Sequence, residues 1–362
     1  MRAPRGRQGH QDHPLQTGRQ GGHLRRRGDC QPRDQVCLSL ELKPPPSAGR
    51  HAVIDVGTNS VKLLVATIVG RHITPVHETS VQTRLGKGFY QHHLLQAIAI
   101  RQTAEAVQRF AGQARDAGAN TIRVLATNAA REARNSDALV RAVREASSLD
   151  LEIIPGELEA DLVYQGVLSG CSNTNAGMML IDVGGGSTEI IIGTGPHPKF
   201  SGSYPLGTVR LLESCPHGDP PSGDEREEVV ARLRQQLETE IAPTMKGVME
   251  TFCLTSLQLI GTGGTSTLLA RMVNSLEGYD RARIEATVLS IDDVTKWFDR
   301  LWSLPMAQRG RIVGLPPEKA DVILAGVAIY QEIMKFWRLP SLGISMRGLR
   351  FGALLQGQVG QH

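Results

Sequence analysis

The chain has 362 residues, 40% hydrophobic and 21% charged, with only 4% aromatic residues. That length holds two domains with substantial cores, and the scarcity of aromatics argues against a base-stacking nucleic-acid surface, so no specific nucleic-acid partner is expected. The net charge of +4 misleads: residues 1–50 carry ten Lys/Arg against four Asp/Glu, an excess of six, which leaves the remainder at −2.

The first 48 residues are rich in Arg, Gln, Gly, His and Pro and are expected to form a disordered basic tail. The run Arg25-Arg26-Arg27 suits polyanions, but a tail without function, or a start assigned too far upstream, is the preferred reading. It has no apolar stretch of the kind a secretory signal needs. Strand patterns follow at 51–56, 61–69 and 73–83. A helix is expected over 93–117, with Leu94, Ile98, Val107, Phe110 and Ala114 on its apolar side. Residues 121–127 read as a strand, 136–147 as a helix with Ser136 as its cap, and 151–154 as a short strand. A further helix starts after Pro155-Gly156.

The pattern then restarts. Strands are expected at 178–183, 189–193 and 198–204, then helices at 206–214 and 222–248, a strand at 257–260 and a helix at 264–275. Helices over 291–304 and 318–337, a strand at 341–345 and a closing helix from 347 end the chain. Trp297, Phe298 and Trp302 read as helix packing. The histidines show no metal-ligand spacing. Five scattered cysteines (Cys30, Cys37, Cys171, Cys215, Cys253) imply neither a disulfide framework nor a zinc site, and a reduced, cytoplasmic setting is the simplest expectation. No run approaches the ~18 apolar residues of a membrane span.

The chemistry concentrates in three loops. Residues 180–190, LIDVGGGSTEI, read as a hairpin whose turn is stripped of side chains. Gly184, Gly185 and Gly186 let backbone N–H groups approach an anion closely. Ser187 and Thr188 add hydroxyls for phosphate oxygens, and Asp182 and Glu189 bracket the loop as oxygen ligands for a hard cation. A second hairpin, 127 residues earlier, repeats the design with Asp55 followed by Gly57, Thr58, Asn59 and Ser60. A third cluster, with Gly263, Gly264 and Thr265, opens a helix whose free N–H groups favour anions. None matches the dinucleotide or P-loop pattern.

A duplicated β-β-β-α-β-α-β-α unit with acid–Gly–Ser/Thr hairpins resembles the superfamily of acetate kinase, sugar kinases, heat-shock chaperones and actin. The motifs DVGTNS (55–60), TRLGKG (83–88), TNAAREARNSD (127–137), PGELEADL (155–162), IDVGGGSTEI (181–190), PLGTVRL (205–211) and GTGGT (261–265) occur in the order of one family within it. The chain thus resembles the exopolyphosphatase / guanosine pentaphosphate phosphohydrolase (Ppx/GppA) family. The resemblance implies an α/β fold of two actin-like (ribonuclease H-like) domains, 49–173 and 174–362, with a phosphate-binding cleft between them and a closing helix able to return to the first. It implies Mg²⁺-dependent hydrolysis of a terminal phosphoanhydride of polyphosphate or guanosine pentaphosphate. Glu159 matches the acid that deprotonates the attacking water; Glu157, two residues earlier, competes for that role. Asp55, Asp182 and Glu189 are the expected metal-associated acids. Arg84, Arg131 and Arg210 are candidates for steering the anion, with solvated surface arginines as the alternative. Asp161 stands where the family often has a basic residue. The chain resembles the short form of the family, which puts processive degradation in doubt, and a homodimer is compatible with it. A small-molecule kinase of the same superfamily and a non-catalytic nucleotide-binding scaffold are the competing readings.

Overall fold

The computed structural model describes residues 49–252 and 257–359, and these belong to one compact unit. The basic tail and two of its cysteines lie outside the described residues, as does Cys253.

Two sheets form the frame. The first has the order β3-β2-β1-β4-β5. It comprises β1 (Gly49–Val56), β2 (Ser60–Val69), β3 (His72–Gln82), β4 (Thr121–Ala126) and β5 (Leu151–Ile153). β1 and β2 are nearly continuous apolar runs because helices or the other sheet cover both their faces. β1–β2–β3 pair antiparallel, whereas β4 and β5 add in parallel after helical crossovers. Those crossovers are α1 (Ala97–Asp116), α2 (Asn128–Glu132) and α3 (Ser136–Ser147).

Beyond α4 (Gly156–Leu168) the plan repeats with β6 (Met178–Val183), β7 (Thr188–Thr194), β8 (His197–Tyr204), α5 (Thr208–Ser214), α6 (Gly223–Gln236), α7 (Ala242–Thr251), β9 (Gln258–Thr262), α8 (Gly263–Val273), α9 (Arg281–Glu285), β10 (Val288–Ser290), α10 (Ile291–Ser303), α11 (Met306–Arg309), α12 (Ile323–Phe336), β11 (Ser341–Ile344) and α13 (Leu349–Val359). Its sheet runs β10-β11-β9-β6-β7-β8. Reading from β8, the order β8-β7-β6-β9-β11 reproduces that of the first sheet, with β10 added at the edge. This is the duplicated actin-like α/β architecture that the sequence motifs imply.

A third core joins the lobes. Val53 and Leu64 of the first sheet, Tyr164 and Val167 of α4, Leu180 and Ile191 of the second sheet, and Phe351 of α13 pack together with little or no exposure. α13 lies against α4 and β1. Small residues set that approach: a Cβ on Gly166 would stand 2.1 Å from the Gly348 carbonyl oxygen, and one on Gly352 would stand 1.9 Å from that of Leu162.

Several local expectations are corrected. Leu94 and Ile98 do not join the buried face of α1; they are exposed, and Ala99, Ile100, Thr103, Ala104 and Ala111 face the core beside the expected Val107, Phe110 and Ala114. Ser136 is the first helical residue of α3, and Asn135 occupies the cap. The single helix expected at 222–248 is α6 and α7 joined by a π turn at Leu237–Ile241. Pro243 explains the break: it has no N–H to donate, and its ring would crowd the carbonyl four residues back. Phe298 and Trp302 are buried in the second core, and the Trp302 indole N–H donates to the Leu324 carbonyl. No described helix is long and apolar enough to cross a membrane.

Candidate active site

The turns of the two central hairpins have the same construction. In the first, Gly57 N–H donates to the Ser60 carbonyl (3.0 Å); in the second, Gly184 N–H donates to that of Ser187 (2.9 Å). Asp55 and Asp182 stand two residues before those glycines, at matching ends of β1 and β6. The two turns meet across the lobes. A Cβ on Gly185 would lie 2.9 Å from Thr58 Cβ, so glycine is what permits the contact. The third loop closes from β9 into α8. Gly263 has φ +84°, and a Cβ there would stand 2.2 Å from Asp182 Oδ1. Both the left-handed backbone and the carboxylate demand glycine.

These turns enclose a cavity of about 130 Å³. Asp55, Gly57, Thr58, Asn59, Ser60, Glu159, Asp182, Gly184, Gly185, Gly186, Ser187, Glu189, Gly264 and Thr265 all line it. Glu159 reaches it from the first turn of α4, where Pro155 blocks continuation of the helix toward the N-terminus. It is only 8% exposed, while Glu157, two positions earlier on the helix, faces solvent. Arg131 Nη1 donates to Glu159 Oε2 at 2.9 Å and to the Ile154 carbonyl at 2.9 Å, which fixes the carboxylate. Burial outweighs that pairing. It pushes the Glu159 carboxyl up to about 7, opposed by Arg131 and reinforced by Asp55 and Asp182. Burial also raises Asp182, against the pull of Lys62, and raises Glu189 strongly, with Glu159 and Asp182 adding to it.

Five residues expected at the site do not line the cavity. Thr188 is fully buried and its hydroxyl donates to the Leu206 carbonyl, so it offers nothing to the cavity. Gly263 lies against Asp182 rather than on the cavity wall. The three arginines are each committed to an acid. Arg84 pairs with Asp321 (2.6 Å), Arg131 with Glu159, and Arg210 with Glu132 (2.6 Å). None lines the cavity. A guanidinium fork that finds a carboxylate beside it is not free to collect a distant anion.

The cations that do line the cavity are Lys62 and Lys319, along with the polar side chains of Thr127, Asn128 and Thr208. Lys62 lies 3.9 Å from Asp55. It could have been found, because it follows Ser60 by two on a strand and therefore shares its face. Lys319 donates to Ser60 Oγ at 2.6 Å from 259 residues away, and no local pattern announces it. Burial, chiefly, with Lys62 second, lowers its pKa to about 8.

The acids suit a hard cation in one specific sense. Among the described residues no three His, Cys, Asp or Glu side chains converge into a ready cage. Glu189 Oε1 already accepts from Ser187 and Ser203 (2.8 Å each). The Asp55 and Asp182 carboxylates, by contrast, accept no hydrogen bond from any described residue, and both face the same cavity. Two bare carboxylates, with the remaining positions left to phosphate oxygens and water, match the coordination habit of Mg²⁺.

Duplicated actin-like lobes with paired glycine turns around buried acids define a phosphate-handling cleft. The Ppx/GppA phosphatase family profile matches residues 64–359, and the chain belongs to that family. It is therefore a hydrolase of phosphoanhydride bonds, which decides against the kinase and scaffold readings. The chain is 30% identical over 295 residues to exopolyphosphatase 2 of Mycobacterium tuberculosis, covering 79% of this chain and 90% of that protein. It is 28% identical over 313 residues to the guanosine-5'-triphosphate,3'-diphosphate pyrophosphatase of Aeromonas salmonicida, covering 86% of this chain and 60% of that longer relative. The Ppx/GppA enzyme of Aquifex aeolicus superposes with a TM-score of 0.69 at 28% identity, over 85% of this chain and 99% of its own.

Proposed function

We propose that the chain removes the terminal phosphate of inorganic polyphosphate, of guanosine pentaphosphate, or of both, with Glu159 as general base and Mg²⁺ as cofactor. The observation that carries this reading is the meeting of Glu159 with both hairpin turns in one cavity, in a chain of a phosphatase family. The substrates are those named for relatives.

The backbone N–H groups at the tips of the two turns, Thr58–Asn59 and Gly185–Gly186, bind the terminal phosphoryl oxygens, and being fixed they need no reorganisation to receive charge. Lys62 and Lys319 add positive charge beside them. Glu159, held by Arg131, accepts a proton from water as the oxygen attacks phosphorus, and the anhydride oxygen leaves with the shortened substrate. A carboxyl poised near neutrality is well matched to that proton transfer. Mg²⁺ held by Asp55 and Asp182 would supply charge neutralisation at the phosphate oxygens.

The test is phosphate release from long polyphosphate, short polyphosphate, guanosine pentaphosphate and ATP, side by side with Mg²⁺. Turnover of polyphosphate or the pentaphosphate well above ATP is expected. Equal or faster turnover of ATP would refute the substrate assignment.

A further inference from the structure

Two cavities approach each other across the Tyr90–Asn128 hydrogen bond, beside Gly186. The inner one is the catalytic cleft. The outer one, about 620 Å³, opens between the loop that carries Tyr90 and helices α5 and α6, with Gly207, Arg210, Glu213 and Arg232 among its walls. A Cβ on Gly186 would stand 2.0 Å from Asn128 Oδ1 and 2.1 Å from Tyr90 Oη, so both side chains seal against a bare α-carbon.

The seal is a circuit of side-chain hydrogen bonds that includes one ion pair. Tyr90 O–H donates to Asn128 Oδ1 (3.1 Å), and Asn128 Nδ2 donates to Glu132 Oε1 (2.8 Å). The same Glu132 oxygen accepts from Arg210 Nη2, while Arg210 Nε donates to the Gly186 carbonyl (2.8 Å). The guanidinium lies 4.2 Å over the Tyr90 ring. The wall is thus the Tyr90–Asn128 pair, with Asn128 on the inner side and Tyr90 on the outer. Tyr90, Asn128 and Glu132 stand on the first lobe and Gly186 and Arg210 on the second, so any relative motion of the lobes parts it.

Charge distinguishes the two sides. Lys62 and Lys319 line the catalytic cleft and form its cationic rim, which attracts a polyanion. In the outer cavity Arg210 and Arg232 are balanced by Glu213 and Glu240. A small anion can cross such a surface without being held on it.

We propose that Tyr90 and Arg210 form a gate through which freed orthophosphate leaves, while the shortened substrate still occupies the cationic rim. The inference rests on the hydrolase reading above. Its basis is steric: a phosphate cut from the chain end lies behind the remaining substrate, and the Tyr90–Asn128 contact at Gly186 separates it from the outer cavity.

Single turnovers of a medium-chain polyphosphate, with enzyme in excess, separate formation from release. Acid quench reports phosphate formed, and a fluorescent phosphate-binding protein reports phosphate freed. Tyr90→Ala should shorten the lag between the two, and Tyr90→Trp should lengthen it, each by roughly fivefold or more, as expected where release is gated. A lag unchanged in both variants, or formation and release slowed equally, overturns the gate. Absence of phosphate in acid-quenched samples of the unaltered protein overturns the hydrolase reading, and the gate with it. If the truncation does not fold, Tyr90→Phe, which keeps the ring but loses the bond to Asn128, should still shorten the lag.

Discussion

Glu159 carries two separable burdens. As a general base it should be worth roughly 10²–10⁴ in kcat, so Glu159→Gln should lose that much while Glu157→Gln, on the exposed side of the helix, loses little. An active Glu159→Gln beside an inactive Glu157→Gln would move the base. Because the Glu159 carboxyl is pushed up to about 7, kcat/KM should fall as pH drops below about 7, and residual activity of the variant should lack that limb. Stability follows the opposite direction. The native state holds this proton more tightly than the unfolded chain does, so the ionised side chain costs stability. That cost is absent below about pH 4.5 and complete above about 7. The Glu159→Gln protein should therefore gain on its parent by roughly 1–3 kcal/mol between pH 5 and pH 8. Denaturant melts at both pH values check this, and a constant difference would contradict it. Asp182→Asn removes one of the two bare carboxylates. It should raise the Mg²⁺ concentration for half-maximal activity by about tenfold or more, since two-carboxylate sites depend on each ligand. An unchanged Mg²⁺ titration would remove Asp182 from the metal site.

At the scale of elements, α4 is the member that ties chemistry to frame. It carries Glu159 at its start, and its buried flank meets α13 through Gly166 and Gly352. Gly166→Ala or Gly352→Ala would push a methyl into backbone carbonyls. Neither partner is a flexible side chain, so the helices must separate. A loss of about 3 kcal/mol is expected, at the upper end of ordinary overpacking. Thermal denaturation tests it, with Gly112→Ala on α1 as the control, since nothing lies within 4 Å of a Cβ there. Gly112→Ala should be neutral or slightly stabilising, since alanine is the better helix former, and a loss there as large as that of Gly352→Ala would show that the crossing does not govern the effect.

For the whole molecule, the core shared by both sheets, α4 and α13 means that neither lobe buries its apolar surface alone. Ion pairs add to it across the lobes. Glu78 on β3 meets Arg281 and Arg350, and Glu213 on α5 accepts from the backbone N–H groups of Gly88 and Tyr90. The described lobes should unfold in one cooperative transition, with calorimetric and van't Hoff enthalpies equal. Two resolved transitions would show the lobes to be independent.

Much of this was legible in the amino-acid order. Duplication, strand pairing within hairpins and the glycine turns depend on contacts a few residues apart, and period-two and glycine signals report such contacts directly. That is why Asp55, Asp182 and both turns could be named and are found lining one cavity. The π turn at 237–241 was also written there, in Pro243, although periodicity alone concealed it. The partners of charged groups were not legible. Arg84, Arg131 and Arg210 read as free cations because their acids, Asp321, Glu159 and Glu132, are brought to them by packing. Lys319 reaches Ser60 only because the lobes close on each other. A hydroxyl such as Thr188 can face cleft or core at no local difference in cost. Side-chain chemistry and backbone turns were therefore determined by the sequence, whereas which charges neutralise one another, and which stay bare in the cavity, were decided by the tertiary structure, because electrostatic pairing acts across space and not along the chain.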